Sequence, residues 1–204
     1  MKKVTVFWFI VVLLMLGGGL YYRYCFHRVD ERGATLLMRG FESSASNKDM
    51  LRLLKRSDDL NVQDKSGRTA LFYAARYTKD ANILRKMLLD GADVFITDNN
   101  GQTALMQAAR YNESADIVSL LSQVGGTINT TDKMQNTALL LAARHNKAAV
   151  IKELLRHGAD PDLAGQDGRT AAQLLAENEY LTDQEKTDYR QAMLIVSILR
   201  PVEK

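Results

Sequence analysis

The chain has 204 residues and balances 27 Lys and Arg against 24 Asp and Glu, a net charge of +3. That total carries no electrostatic footprint for nucleic acid. Two prolines and 13 glycines exclude a Pro/Gly-rich disordered chain, and a single cysteine excludes an internal disulfide.

In chain order, Lys2 and Lys3 precede an uncharged run from Val4 to Tyr22 that contains the lone Trp8. Nineteen residues at about 1.5 Å each come close to the ~30 Å hydrocarbon core of a bilayer. Residues 1–24 are therefore expected to be a transmembrane anchor or a signal peptide. The anchor is favoured because Tyr21, Tyr22 and Tyr24 extend the run past Gly17, Gly18 and Gly19 as an interfacial belt. The basic start of the chain places the N-terminus in the cytosol, so the body is expected in the periplasm on a single-pass inner-membrane anchor. A soluble periplasmic protein after signal cleavage is the alternative. Residues 25–33 read as a juxtamembrane linker, with Cys25 a spectator thiol.

From residue 34 the pattern becomes helical. Two short helical stretches, 34–41 and 48–55, form a first unit over 34–62. Four later stretches then align: Asp64-Lys-Ser-Gly67-Arg-Thr69, Asp98-Asn-Asn-Gly101-Gln-Thr103, Asp132-Lys-Met-Gln135-Asn-Thr137 and Gly165-Gln-Asp-Gly168-Arg-Thr170. The threonines keep one period from Thr69 through Thr103 to Thr137, and the last step to Thr170 is a single position shorter. Asp followed three residues on by Gly is tight-turn chemistry, and Thr is a good helix N-cap. Each of the first three turns leads into an Ala-Ala pair (Ala74-Ala75, Ala108-Ala109, Ala142-Ala143), whose small side chains let helices approach closely. A second apolar helix follows, carrying Ile83, Leu84, Met87 and Leu88 in the first full unit. It closes at Gly91, Gly125-Gly126 or Gly158, where a C-terminal cap is wanted. Gln135 in place of glycine points to a distorted third turn. At the far end, residues 170–178 read as one helix. Residues 183–199 read as another, with Tyr189, Met193, Ile195, Val196 and Leu199 for burial and Pro201 as its stop.

This period and these positions resemble the ankyrin repeat, whose unit reads D-x-x-G-x-T-P/A-L, then A-A, then L-L-x-x-G-A-D. The resemblance covers about residues 31–200 and predicts an all-α ankyrin-repeat solenoid of about five helix-turn-helix units with short β-turn fingers, beside the N-terminal hydrophobic helix. The full repeats fall at 63–97, 98–130 and 131–163, between the capping repeats 34–62 and 164–200. No unit of this kind buries its apolar face alone, so neighbours must stack.

Chemistry is scarce. His27, His145 and His157 have no metal-ligand spacing, His157 reads as a solvated helix end, and no phosphate loop or nucleophile elbow occurs. An enzyme is not expected, nor are a cofactor, a metal, a small-molecule substrate or nucleic acid. The resemblance implies instead a concave protein-binding groove built from turn tips and the ends of the first helices. Its candidate residues are Lys65, Ser66, Arg68, then Asn99, Asn100, Gln102, then Lys133, Met134, Asn136, then Arg169 with Gln166 and Asp167 beside it. After the alanine pairs come Arg76-Tyr77, Arg110-Tyr111 and Arg144-His145, which stack into a stripe of arginines and rings. Arg and aromatic side chains dominate interface energy. The expected partner is a protein with an acidic or carbonyl-rich patch. Three roles fit: a binding module on the extracytoplasmic side of a membrane, an immunity protein neutralising a toxin delivered to the periplasm, and an accessory factor for a membrane-associated enzyme.

Overall fold

The computed structural model describes residues 29–57, 59–124 and 128–199. The apolar segment 4–22, Cys25, His27 and Gly125-Gly126 lie outside the described residues.

Ten α-helices among the described residues pair into five units. They are α1 (Leu36–Glu42) with α2 (Asn47–Arg56), α3 (Ala70–Tyr77) with α4 (Ala81–Leu89), and α5 (Ala104–Tyr111) with α6 (Ala115–Gln123). α7 (Ala138–His145) pairs with α8 (Ala148–Arg156), and α9 (Ala171–Leu174), continued by a 3-10 turn over Leu175–Glu177, pairs with α10 (Asp183–Leu199). First helices pack on first helices, α1 on α3 on α5 on α7 on α9, and second helices on second helices from α2 through α8. Among the described residues no strand forms beyond one isolated bridge, Ala164 to Thr170. No helix of the described residues is long and apolar enough to cross a membrane.

Several helices begin where the chain supplies a cap. Thr103 and Thr137 Oγ1 accept from the Met106 and Leu140 amides, and Thr35 Oγ1 accepts from Met38 N. Such caps satisfy amides that the first helical turn leaves without partners. Thr69 keeps the position, but its buried Oγ1 has no hydrogen bond among the described residues. The inner helices are buried nearly all round. In α5, Ala104, Leu105, Met106, Gln107, Ala108 and Ala109 are all buried, because the helix is covered by its neighbours in the row and by α6. The six paired alanines are 0% exposed, so a larger side chain there would push adjacent units apart.

The turns repeat the same bonds. Asp64 Oδ1 accepts from Ser66 N and Arg68 N, Asp98 Oδ1 from Asn100 N and Gln102 N, and Asp132 Oδ1 from Met134 N and Asn136 N. Gly67 and Gly101 close these turns at φ 80° and 76°. The third turn is not distorted: Gln135 takes φ 60° and its amide still donates to Asp132 O at 2.9 Å. The carboxylate bonds hold the turn hard enough to keep a non-glycine residue in the left-handed region.

One boundary and one burial differ from expectation. Positions 30–33, read as linker, make the same turn one repeat period before Asp64. Asp30 Oδ1 accepts from Arg32 N and Ala34 N, and Gly33 stands at φ 80°. The first unit thus starts at Asp30. At the other end Met193 is buried and Tyr189 and Val196 are half-buried, but Ile195 is 55% exposed. No further unit covers the outer side of α10 among the described residues, so Ile195 stays in solvent.

Candidate functional site

Fingertips join into a ladder. Lys65 N donates to Arg32 O, Asn99 N to Ser66 O, Lys133 N to Asn100 O and Gln166 N to Met134 O. Asn99 Nδ2 adds a bond to Lys65 O, and Lys133 Nζ one to Asn99 O at 2.7 Å. The expected tip residues Lys65, Ser66, Asn99, Asn100, Lys133 and Met134 therefore line one edge of the stack, where their backbones hold successive fingers together. The side chains of Asn99 and Lys133 are spent on that ladder. Met134 is left 62% exposed.

Deeper in each finger the expected residues turn inward to the turn carboxylates. Arg68 Nε and Nη2 reach Asp64 Oδ2 at 3.0 and 2.9 Å, and the buried Tyr73 hydroxyl donates to the same oxygen at 2.8 Å. Burial alone would raise the Asp64 carboxyl, but the Arg68 amide, the Tyr73 hydroxyl and the Arg68 guanidinium outweigh it and hold it below its ordinary range. Burial, then the bond to Asp64, pushes the Tyr73 phenol up. Gln102 Nε2 donates to Asp132 Oδ2 and Asn136 Nδ2 to both oxygens of Asp132. Arg169 pairs with Asp167 at 2.7 Å and with Glu177. Arg68, Gln102, Asn136 and Arg169 are thereby positioned as braces of the fingers.

The stripe after the alanine pairs is brought together as a continuous row. The Arg76 guanidinium lies 3.8 Å from the Tyr111 ring centroid in the next unit and 5.2 Å from that of Tyr77. Arg110 lies 5.2 Å from the Tyr111 ring, and Tyr73 stacks on Tyr77 at 6.5 Å. These are cation–π distances, within about 6 Å of the ring centroids. His145 continues the row: burial first, then the Arg110 and Arg144 charges, push its imidazole down. Tyr77 and Tyr111 remain 42% and 43% exposed. A cavity of about 500 Å³ opens here, lined by Arg76, Tyr77, Lys79, Tyr111, Asn112 and Glu113 among others.

The arginines of the row differ in one respect. Arg144 Nη2 pairs with Asp167 Oδ2 at 3.2 Å, from the last finger. Arg76 and Arg110 pair with no carboxylate among the described residues.

Sequence reading missed a buried seam. Asn112 Nδ2 donates to Ala75 O and Thr78 O of the preceding unit at 2.9 and 2.7 Å. Asn146 Nδ2 does the same to Ala109 O and Asn112 O, and Asn178 Nδ2 to Ala143 O and Asn146 O. All three are 5% exposed or less. The available signal was Asn112 and Asn146 recurring at the period of the threonines, two places after each arginine. His157 also departs from its solvated reading: its Nε2 lies 3.1 Å from Ser119 Oγ on α6 and its side chain is 14% exposed.

Comparison with known families finds ankyrin repeats in three overlapping matches, residues 37–132, 79–164 and 114–188. No curated protein matches the chain.

Proposed function

Because the chain belongs to the ankyrin-repeat family and is built as a protein–protein interaction module, we propose that it binds an acidic surface of another protein through the groove row Arg76, Tyr77, Arg110 and Tyr111. One observation carries this reading. Arg68, Arg144 and Arg169 each meet a carboxylate of the chain itself, while Arg76 and Arg110 keep their guanidinium edges without one among the described residues. Stacked on exposed tyrosines, they offer charge-assisted bonds that a partner carboxylate completes. Changing Arg76, Arg110 and Arg144 together to Ser is expected to abolish partner capture while helicity and melting stay as in the parent. Undiminished capture by the triple variant refutes the reading.

The apolar run 4–22 supports an extracytoplasmic placement, with the repeats in the periplasm and the run as tether. Protease accessibility in spheroplasts tests this: digestion of the repeats from outside supports it, and protection overturns it. A small binding module so placed is suited to neutralising a toxin delivered to the periplasm. That role requires a one-to-one inhibitory complex. An accessory role to a membrane-associated enzyme would instead leave its partner active.

A further inference from the structure

The groove carries three arginines at one repeat period, yet only two are open to a partner. Arg76, Arg110 and Arg144 hold equivalent positions at the end of the inner helix in successive units. Arg144 differs because the last finger bends Asp167 onto it. That finger departs from the others in sequence: Gly165 stands at the place of Asp64, Asp98 and Asp132, and the carboxylate moves two places along to Asp167. Asp167 still serves its turn, accepting from Arg169 N at 3.1 Å through Oδ1. Its other oxygen is left to face Arg144 and Arg169. In the first and third of the other turns the second oxygen stays with its own finger or the neighbouring one, on Arg68, Tyr73, Gln102 or Asn136.

We infer that the groove takes an extended acidic segment with one carboxylate per unit, at Arg76 and Arg110, and that Asp167 is a built-in stand-in for a third carboxylate that closes the Arg144 position. This rests on the groove reading above and adds the spacing and the length of the segment it accepts. Adjacent packed helices lie roughly 8–10 Å apart. A chain in the polyproline II form turns once in three residues and rises about 9 Å in doing so. Carboxylates at every third residue therefore point to one side at the spacing of the row. The Asp167 contact is fit for a stand-in rather than a permanent lock. It uses a single nitrogen of Arg144, whose buried Nε has no acceptor among the described residues, and both partners are partly in solvent, at 30% and 41% exposure. Such exposed ion pairs are weak.

Two labelled peptides test it by fluorescence anisotropy against the full chain: one with Glu at positions i and i+3, one with Glu at i, i+3 and i+6, glycine and serine between. In the parent the third Glu changes affinity less than twofold, since its position is filled. Asp167→Asn keeps the turn acceptor but drops the charge, and the three-Glu peptide then binds about tenfold tighter than the two-Glu peptide. Adding Arg144→Gln returns the ratio to near one. A ratio that is the same in the parent and in Asp167→Asn overturns the stand-in. The reading beneath it fails separately, if neither peptide binds the parent or if Arg76→Gln/Arg110→Gln binds the two-Glu peptide as tightly as the parent does.

Discussion

Two positions at the ends of the same inner helices, two places apart, meet opposite fates. Arg76 and Arg110 end on an exposed side of the stack, lying on tyrosine rings with no carboxylate of the described chain to hold them. Thr78, Asn112 and Asn146 sit at the helix C-caps, where the extended backbone carries the side chain back into the stack. There each asparagine amide bridges two carbonyls of the unit before it. The seam is sealed and bonded, while the row is half-open, and Arg76 and Arg110 in it meet no carboxylate among the described residues. The difference teaches that one repeat pattern can place a bonded, inward register and an exposed, charged register two residues apart on the same helix end.

The comparison breaks most sharply at the seam. Asn112→Ala leaves Ala75 O and Thr78 O buried without their donor and removes the acceptor for Ser114 N. It is expected to cost about 2–4 kcal/mol and to lower the melting temperature by roughly 5–15 °C, followed by circular dichroism. A loss no larger than that of an exposed substitution would show the seam to be ornamental.

Gln135→Gly sharpens the turn side of the same contrast. Relieving the left-handed residue at φ 60° is expected to stabilise by about 0.5–1 kcal/mol in urea titration. A destabilisation would mean that the Gln135 side chain holds the finger.

A smaller effect is expected from pH. The folded His145 pKa lies below the ordinary value of about 6.5, so the unfolded chain takes up the proton first as pH falls. Stability contributed by the neutral ring is complete above that value and is lost on descending toward the folded pKa. His145→Gln should flatten the slope in this window, read as the difference between the two stability curves. Identical slopes would contradict the lowered imidazole, whose first cause is burial and second the Arg110 and Arg144 charges. Smallest of all, Arg76→Ser with Arg110→Ser is expected to shift stability by less than about 0.5 kcal/mol; a larger loss would make the row part of the scaffold.

Much of this was legible in the residues. The Asp-x-x-Gly-x-Thr turns, alanine pairs and apolar second helices announced units of one kind, because local bonds within a single finger suffice to make each turn and cap. The first finger, Asp30-Glu-Arg-Gly33-Ala-Thr35, follows the same rule, one repeat period before Asp64. The arginine and ring positions were legible too, but their state was not. Whether Arg144 is free depends on Asp167, well along the chain in a turn that departs from the pattern. Gln102 looked like a tip residue, yet it bonds Asp132 of the next finger.

The sequence by itself determined the repeating units with their turns and caps, since propensity, capping and turn chemistry act over a few neighbours and recur with every repeat. The helix ends shifted by a residue or two, and 170–178 split into the short α9 and a 3-10 turn. Only the tertiary structure decided which polar groups were consumed and which were left. Hydrogen bonds and ion pairs between units depend on distances set by stacking, and the same arginine is a brace where a carboxylate lands on it and a free hand where none does.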